Sequence, residues 1–117
     1  MNYENLKDFI ENGNNTELPN CSNVQIAVEG DSLALYTLTP EDTPYDTERA
    51  EQYLRENTNY EPFANPDSGG YEIGIKIPYT QLQPEWLNFT IEQFSEVDKI
   101  YTISGIVDNI SDRYVIG

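Results

Sequence analysis

The chain has no histidine, a single cysteine and only six Lys and Arg against twenty-one Asp and Glu, and each shortage removes a class of function. Without histidine no side chain has an ordinary pKa near neutrality. That excludes Ser-His-Asp catalysis and removes the commonest metal ligand. One cysteine, Cys21, forms neither an internal disulfide nor a zinc site, and reads as a small apolar residue in a reducing compartment. The basic charge that would match a phosphate backbone is missing, so a net charge of −15 opposes direct binding to nucleic acid. No apolar run approaches the ~18 to 20 residues of a membrane span, and no basic start followed by an apolar run marks an export signal. No membrane association is expected, and the cytoplasm is the expected location. Asn14, Asn20, Asn88 and Asn109 each open an N-x-[ST] tripeptide, which without export reads as chance in a chain with twelve asparagines.

At 117 residues the sequence suits one compact domain, 1–117, with one hydrophobic core. No low-complexity tail or linker interrupts it, so the acidic charge belongs to the folded body. Asparagine, tyrosine and isoleucine are plentiful, as in an AT-rich coding sequence, which should also supply lysine. Only three lysines occur, so base composition does not account for the missing positive charge.

Periodicity gives the elements. Over 2–12, Tyr3, Leu6, Phe9 and Ile10 share one side of a helix that Gly13 would cap, and Glu4, Asp8 and Glu11 share the opposite side. Val24, Ile26 and Val28 alternate with polar residues up to a Gly30-Asp31 turn, and 32–39 returns as the second strand of a hairpin. The segment 43–46 reads as a helix start with Pro44 at the first helical position. Ala50, Tyr53 and Leu54 form that helix's buried face, Glu51 and Arg55 pair along it, and it ends near Asn57. The Asn-, Pro-, Ser- and Gly-rich segment 58–70 is expected as a surface loop. Tyr71, Ile73, Ile75 and Ile77 then point one way, and Glu72, Gly74 and Lys76 the other, until Pro78 stops the strand. Over 84–97 a third helix buries Trp86, Leu87, Ile91, Phe94 and Val97 and turns Glu85, Glu92 and Glu96 outward, with Phe89 beside them. Two strands, 100–107 and 113–116, complete the order αββαβαββ. The expected class is α+β: a mostly antiparallel sheet of four to five strands with two to three helices packed on one face.

Nothing marks a catalytic site. Carboxylate pairs are numerous, but none is signalled as lying in an apolar pocket, and no glycine-rich phosphate loop follows a strand. Glu41, Asp42, Asp46, Glu48 and Glu51 crowd one segment, and 65–70 is rich in oxygen donors, yet neither has the spacing of a calcium loop. The sequence reads as a non-enzyme without cofactor or metal.

The use for the charge is contact. Carboxylates about four residues apart on a helix lie ~6 Å apart along its axis, an interval close to that between phosphates. The expected contact residues are Glu4, Asp8, Glu11, Glu41, Asp42, Asp46, Glu48, Glu85, Phe89, Glu92 and Glu96. Tyr36, Tyr45, Tyr60 and Phe89 would supply short-range energy beside that charge. In size, acidity and lack of catalytic motifs the chain resembles the small acidic proteins with which phages and mobile elements oppose host defence. That class includes DNA mimics that block restriction enzymes and anti-CRISPR proteins that occupy an effector's nucleic-acid channel. The resemblance is one of class, and no residue is carried over from it. It implies an inhibitor whose partner is a basic, nucleic-acid-binding effector. The alternative is an immunity or adaptor protein for a basic toxin or another basic protein. A homodimer, which would double the acidic surface, stays open in either case.

Overall fold

The computed structural model describes residues 17–18, 21–81 and 98–116. Hydrophobic alternation builds its centre. Strands β2 (Cys21–Glu29), β3 (Ser32–Leu38), β4 (Glu61–Asp67) and β5 (Gly70–Pro78) form an antiparallel sheet, to which the two-residue β1 (Glu17–Leu18) adds at one edge. The spatial order is β1-β2-β3-β5-β4. Leu35 is the cross-strand partner of both Ile26 and Ile75, and Leu33 of both Val28 and Ile77, so the apolar residues of three strands fall in rows on one face. Gly30, in the left-handed region at φ 58°, makes the tight β2–β3 connection.

Two helices cover that face. α1 (Thr47–Thr58) lies over β4 and β5, and α2 (Asp98–Asp108) over β2 and β3. Ala50 and Leu54 from α1, and Ile103, Val107 and Ile110 from α2 and the turn after it, join the strand residues in one buried cluster. Ile26, Leu33, Leu35, Leu54, Ile73, Ile75 and Ile77 are its largest fully buried side chains. Each contributes roughly 1.5–3 kcal/mol by leaving water. The architecture is therefore α+β, with an antiparallel sheet and both described helices on one side.

Several expectations need correction. The segment 58–70 is not a loop: Ser68 and Gly69, at φ 46° and 88°, make a two-residue turn, and β4 leads into it. Prolines concealed the strand, but β4 is an edge strand, where a missing N–H can face away from the ladder. Pro62 is buried beneath α1 opposite Ile75. The expected strand 100–107 is helix α2. Its β-branched residues suggest a strand, but the buried Ile103, Val107 and Ile110 recur at helical spacing. The expected strand 113–116 is a turn with a single bridge, Tyr45 to Val115. Pro44 does not start α1. The chain runs on past Tyr45, whose buried hydroxyl donates to the Ile110 carbonyl at 2.6 Å, and Asp46 becomes the N-cap. Arg55 pairs with Glu61 of β4 at 3.3 Å, not with Glu51. The described order is thus βββαββα and not αββαβαββ. The helices expected over 2–12 and 84–97 lie outside the described residues. Among the described residues, no helix is long and apolar enough to cross a membrane.

Candidate interaction surface

The residues that alternate with the core define the other face of the sheet. Register sets Gln25, Tyr36, Gly74 and Phe63 in one row across β2, β3, β5 and β4. Gly74 has a steric reason: a Cβ there would overlap the Leu35 carbonyl oxygen and the Tyr36 backbone, and would lie 2.7 Å from the Tyr36 Cβ. The rings of Tyr36 and Phe63 come from the strands on either side of this glycine, their centroids 6.3 Å apart and their planes inclined at 57°. Both rings are half-buried. A glycine flanked by cross-strand aromatics is a recurrent way to protect a weak point in a ladder. Here it also leaves two rings on a rigid outward platform.

Charge gathers around the rings. Lys76 Nζ lies 2.8 Å from Glu29 Oε2 and 5.2 Å from the Phe63 centroid, so one cation is held by a carboxylate and an aromatic face together. Glu72 stands on the other side of Gly74 along β5. Its pKa is raised above the ordinary 4.5 by burial, then by the negative charges of Asp67 and Glu29. The Tyr36 hydroxyl is likewise pushed above 10.0 by burial, then by Glu72, Glu29 and Asp67. Both shifts come first from burial and then from neighbouring acids, around a half-buried aromatic pair.

Two of the described cations face rings and not carboxylates. Arg113 lies over the Tyr53 ring at 4.4 Å and the Tyr114 ring at 5.8 Å, and Arg49 lies 5.6 Å from the Tyr114 centroid. These contacts fasten the C-terminal turn to α1 and border an open groove of about 220 Å³ lined by Arg49, Gln52, Tyr53, Glu56 and Tyr114. Among the described residues, Glu29 and Glu61 are the carboxylates held in ion pairs. Two guanidiniums thus lie against tyrosines, and the other described carboxylates have no ion-pair partner among the described residues.

Of the acidic residues expected at the contact surface, Glu41, Asp42, Asp46 and Glu48 are described; Glu4, Asp8, Glu11, Glu85, Phe89, Glu92 and Glu96 lie outside the described residues. Glu41, Asp42 and Glu48 are exposed. Asp46 has a local use: its carboxylate accepts the Arg49 N–H at 3.1 Å, capping α1, while its own N–H donates to the Tyr114 carbonyl. Glu48 adds negative charge in the first turn, where the helix dipole favours it. The Asp42 N–H donates to the Gly69 carbonyl at 3.0 Å, and a Cβ on Gly69 would lie 2.9 Å from Asp42 Oδ1. This ties the acidic segment to the β4–β5 turn, next to Asp67. The two stretches weighed for calcium therefore meet, but among the described residues no group of three His, Cys, Asp or Glu side chains could hold a metal.

The expected aromatic anchors separate. Tyr45 is a core residue with its hydroxyl committed to Ile110, and burial, then Tyr114, Asp112 and Asp46, hold its pKa far above the phenol range. Tyr60 packs against the core cluster. Tyr36 alone of the three is on the outer face of the sheet. Phe63, Asp67 and Glu72 are its neighbours there; the sequence puts Asp67 in the donor-rich segment 65–70 and Glu72 on the outward side of its strand, but marks none of the three as a contact residue. The available signal was Gly74 in mid-strand, which marks a close approach to whatever stands beside it. Comparison with protein-family models, curated proteins and solved structures finds no match for the chain.

Proposed function

We propose that this protein is a non-catalytic inhibitor that acts in the cytoplasm by presenting an acidic, nucleic-acid-like surface to the basic nucleic-acid-binding site of a host defence nuclease. The observation that carries this reading is the outer sheet face, where Tyr36 and Phe63 stand among Glu29, Asp67 and Glu72 on a scaffold that the buried core makes rigid. Its chemistry suits the role. With a Debye length of about 8 Å at physiological salt, carboxylates spread over the body of the protein steer a basic partner at short range and fade quickly with added salt. Aromatic rings at the centre of the charge supply contact energy that salt does not screen. The exposed Glu41 and Asp42, tied to the β4–β5 turn through the Gly69 carbonyl, add negative charge at the end of the sheet where Asp67 stands.

The test is competition. DNA binding by restriction nucleases and CRISPR effectors would be measured with and without this protein, at low and at physiological salt. The protein is expected to displace DNA from its target and to lose that ability progressively as salt rises. Inhibition with DNA still bound, or a complex indifferent to salt, would overturn the mimicry.

A further inference from the structure

The outer sheet face already holds one basic side chain, the chain's own. Lys76 rests on the Phe63 ring and pairs with Glu29, so the local recipe for a cation is one ring and one carboxylate. Across Gly74 the same ingredients recur around Tyr36: the ring is half-buried opposite Gly74, Glu72 follows on the same face two residues along β5, and Asp67 lies on that face at the end of β4. The charged groups that act on Glu72 are the acids Asp67 and Glu29, and among the described residues no basic side chain pairs with it. We propose that this position receives an arginine side chain from the partner, seated on Tyr36 between Glu72 and Asp67 as Lys76 is seated on Phe63 beside Glu29. The inference rests on the reading of the protein as a binder of basic surfaces, and names the chemistry that the sheet face selects.

Arginine fits better than lysine for two reasons. A guanidinium is planar and weakly hydrated, so it stacks on a ring face at little desolvation cost, and its fork of donors can serve two carboxylates at once. Proteins that grip nucleic acid also place arginines on the surface that this protein would have to cover. Lys76 defines the limit of the site, because it keeps Glu29 occupied and leaves Glu72 and Asp67 as the acceptors.

The experiment uses the whole protein and a capped, fluorescent hexa-arginine peptide, with hexa-lysine as its counterpart, followed by anisotropy. Glu72→Gln is compared with Glu56→Gln, which removes the same unit of charge from an exposed position on α1. Glu72→Gln is expected to weaken hexa-arginine binding about tenfold and Glu56→Gln by less than about twofold, since long-range charge alone would treat them alike. Tyr36→Leu, which keeps an apolar side chain but removes the ring, should abolish the preference for arginine over lysine. Equal weakening by the two glutamine variants, or equal affinity of the wild type for both peptides, overturns the arginine site and leaves the acidic-binder reading standing. No binding of hexa-arginine at low salt removes both.

Discussion

Beneath the helices, Ile73, Ile75 and Ile77 of β5 are sealed from water, whereas Glu72 and Lys76, which alternate with them in sequence, meet two aromatic rings and two further carboxylates on the opposite side of the same strand. The contrast separates two kinds of energy in one element. The inner residues act through burial, which is large, short-ranged and indifferent to salt. The outer residues act through charge at a half-wet surface, which contributes little to stability and a good deal to association. Substitutions on the two sides should therefore differ in kind as well as in size.

Ile75→Ala tests the inner side at its centre. The side chain is fully buried between Leu35 and Pro62, its cross-strand partners, so its truncation should cost about 2–5 kcal/mol in urea unfolding. Peptide binding by the protein that remains folded should be unchanged. A loss below about 1 kcal/mol would mean that the core closes around the gap and that the two faces differ less than the burial suggests.

Gly74→Ala acts on both faces at once. The added methyl must push against the Leu35 carbonyl and the Tyr36 backbone, so β3 and β5 have to part. A cost of about 1–3 kcal/mol is expected in thermal unfolding, together with altered ring resonances of Tyr36 and Phe63 by NMR. Rings that stay in place would show that the aromatic pair does not depend on the close approach of the strands.

How much of this was legible follows the same division. Alternation and a two-residue turn made β2, β3 and the inner row of β5 readable, because burial imposes a period that survives in any sequence. β4 was hidden by Pro62 and Pro66, which are tolerated at a sheet edge for a reason visible only once the strand order is known. α2 was hidden by β-branched residues whose spacing, not their type, decided the outcome. The outer face was the least legible: Tyr36, Phe63 and Glu72 are far apart in sequence, and only the register of three strands brings them together. Charge counts could announce an acidic protein without saying that Asp46 caps a helix while Glu72 faces outward among other acids.

Thr37→Val returns to the inner side with a smaller effect of opposite sign. The Thr37 hydroxyl is buried opposite Ile73 and has no hydrogen-bond partner among the described residues. Replacing it with a methyl of similar volume removes a desolvated polar group and should stabilise the protein by about 1 kcal/mol in urea unfolding. Destabilisation by a similar amount would show that the hydroxyl contributes a bond to the fold, and that the inner face is less purely apolar than its neighbours imply.

Glu72→Gln should move stability least and binding most. The folded protein raises the Glu72 pKa, so the charged form is disfavoured on folding; the penalty is fully present above the folded pKa, falls as pH drops through it and is gone below the ordinary value of 4.5. In that window the native state binds more protons than the unfolded chain, which makes stability fall as pH rises. The glutamine variant lacks this contribution. It should exceed the wild type by no more than about 0.5 kcal/mol at neutral pH, with the difference vanishing as both proteins are brought below pH 4.5. A residue kept at a position where its neutral isostere is more stable is expected where activity and stability conflict. If the variant is instead less stable at neutral pH, Glu72 is holding the sheet together, and the outer face belongs with the inner one as part of the fold.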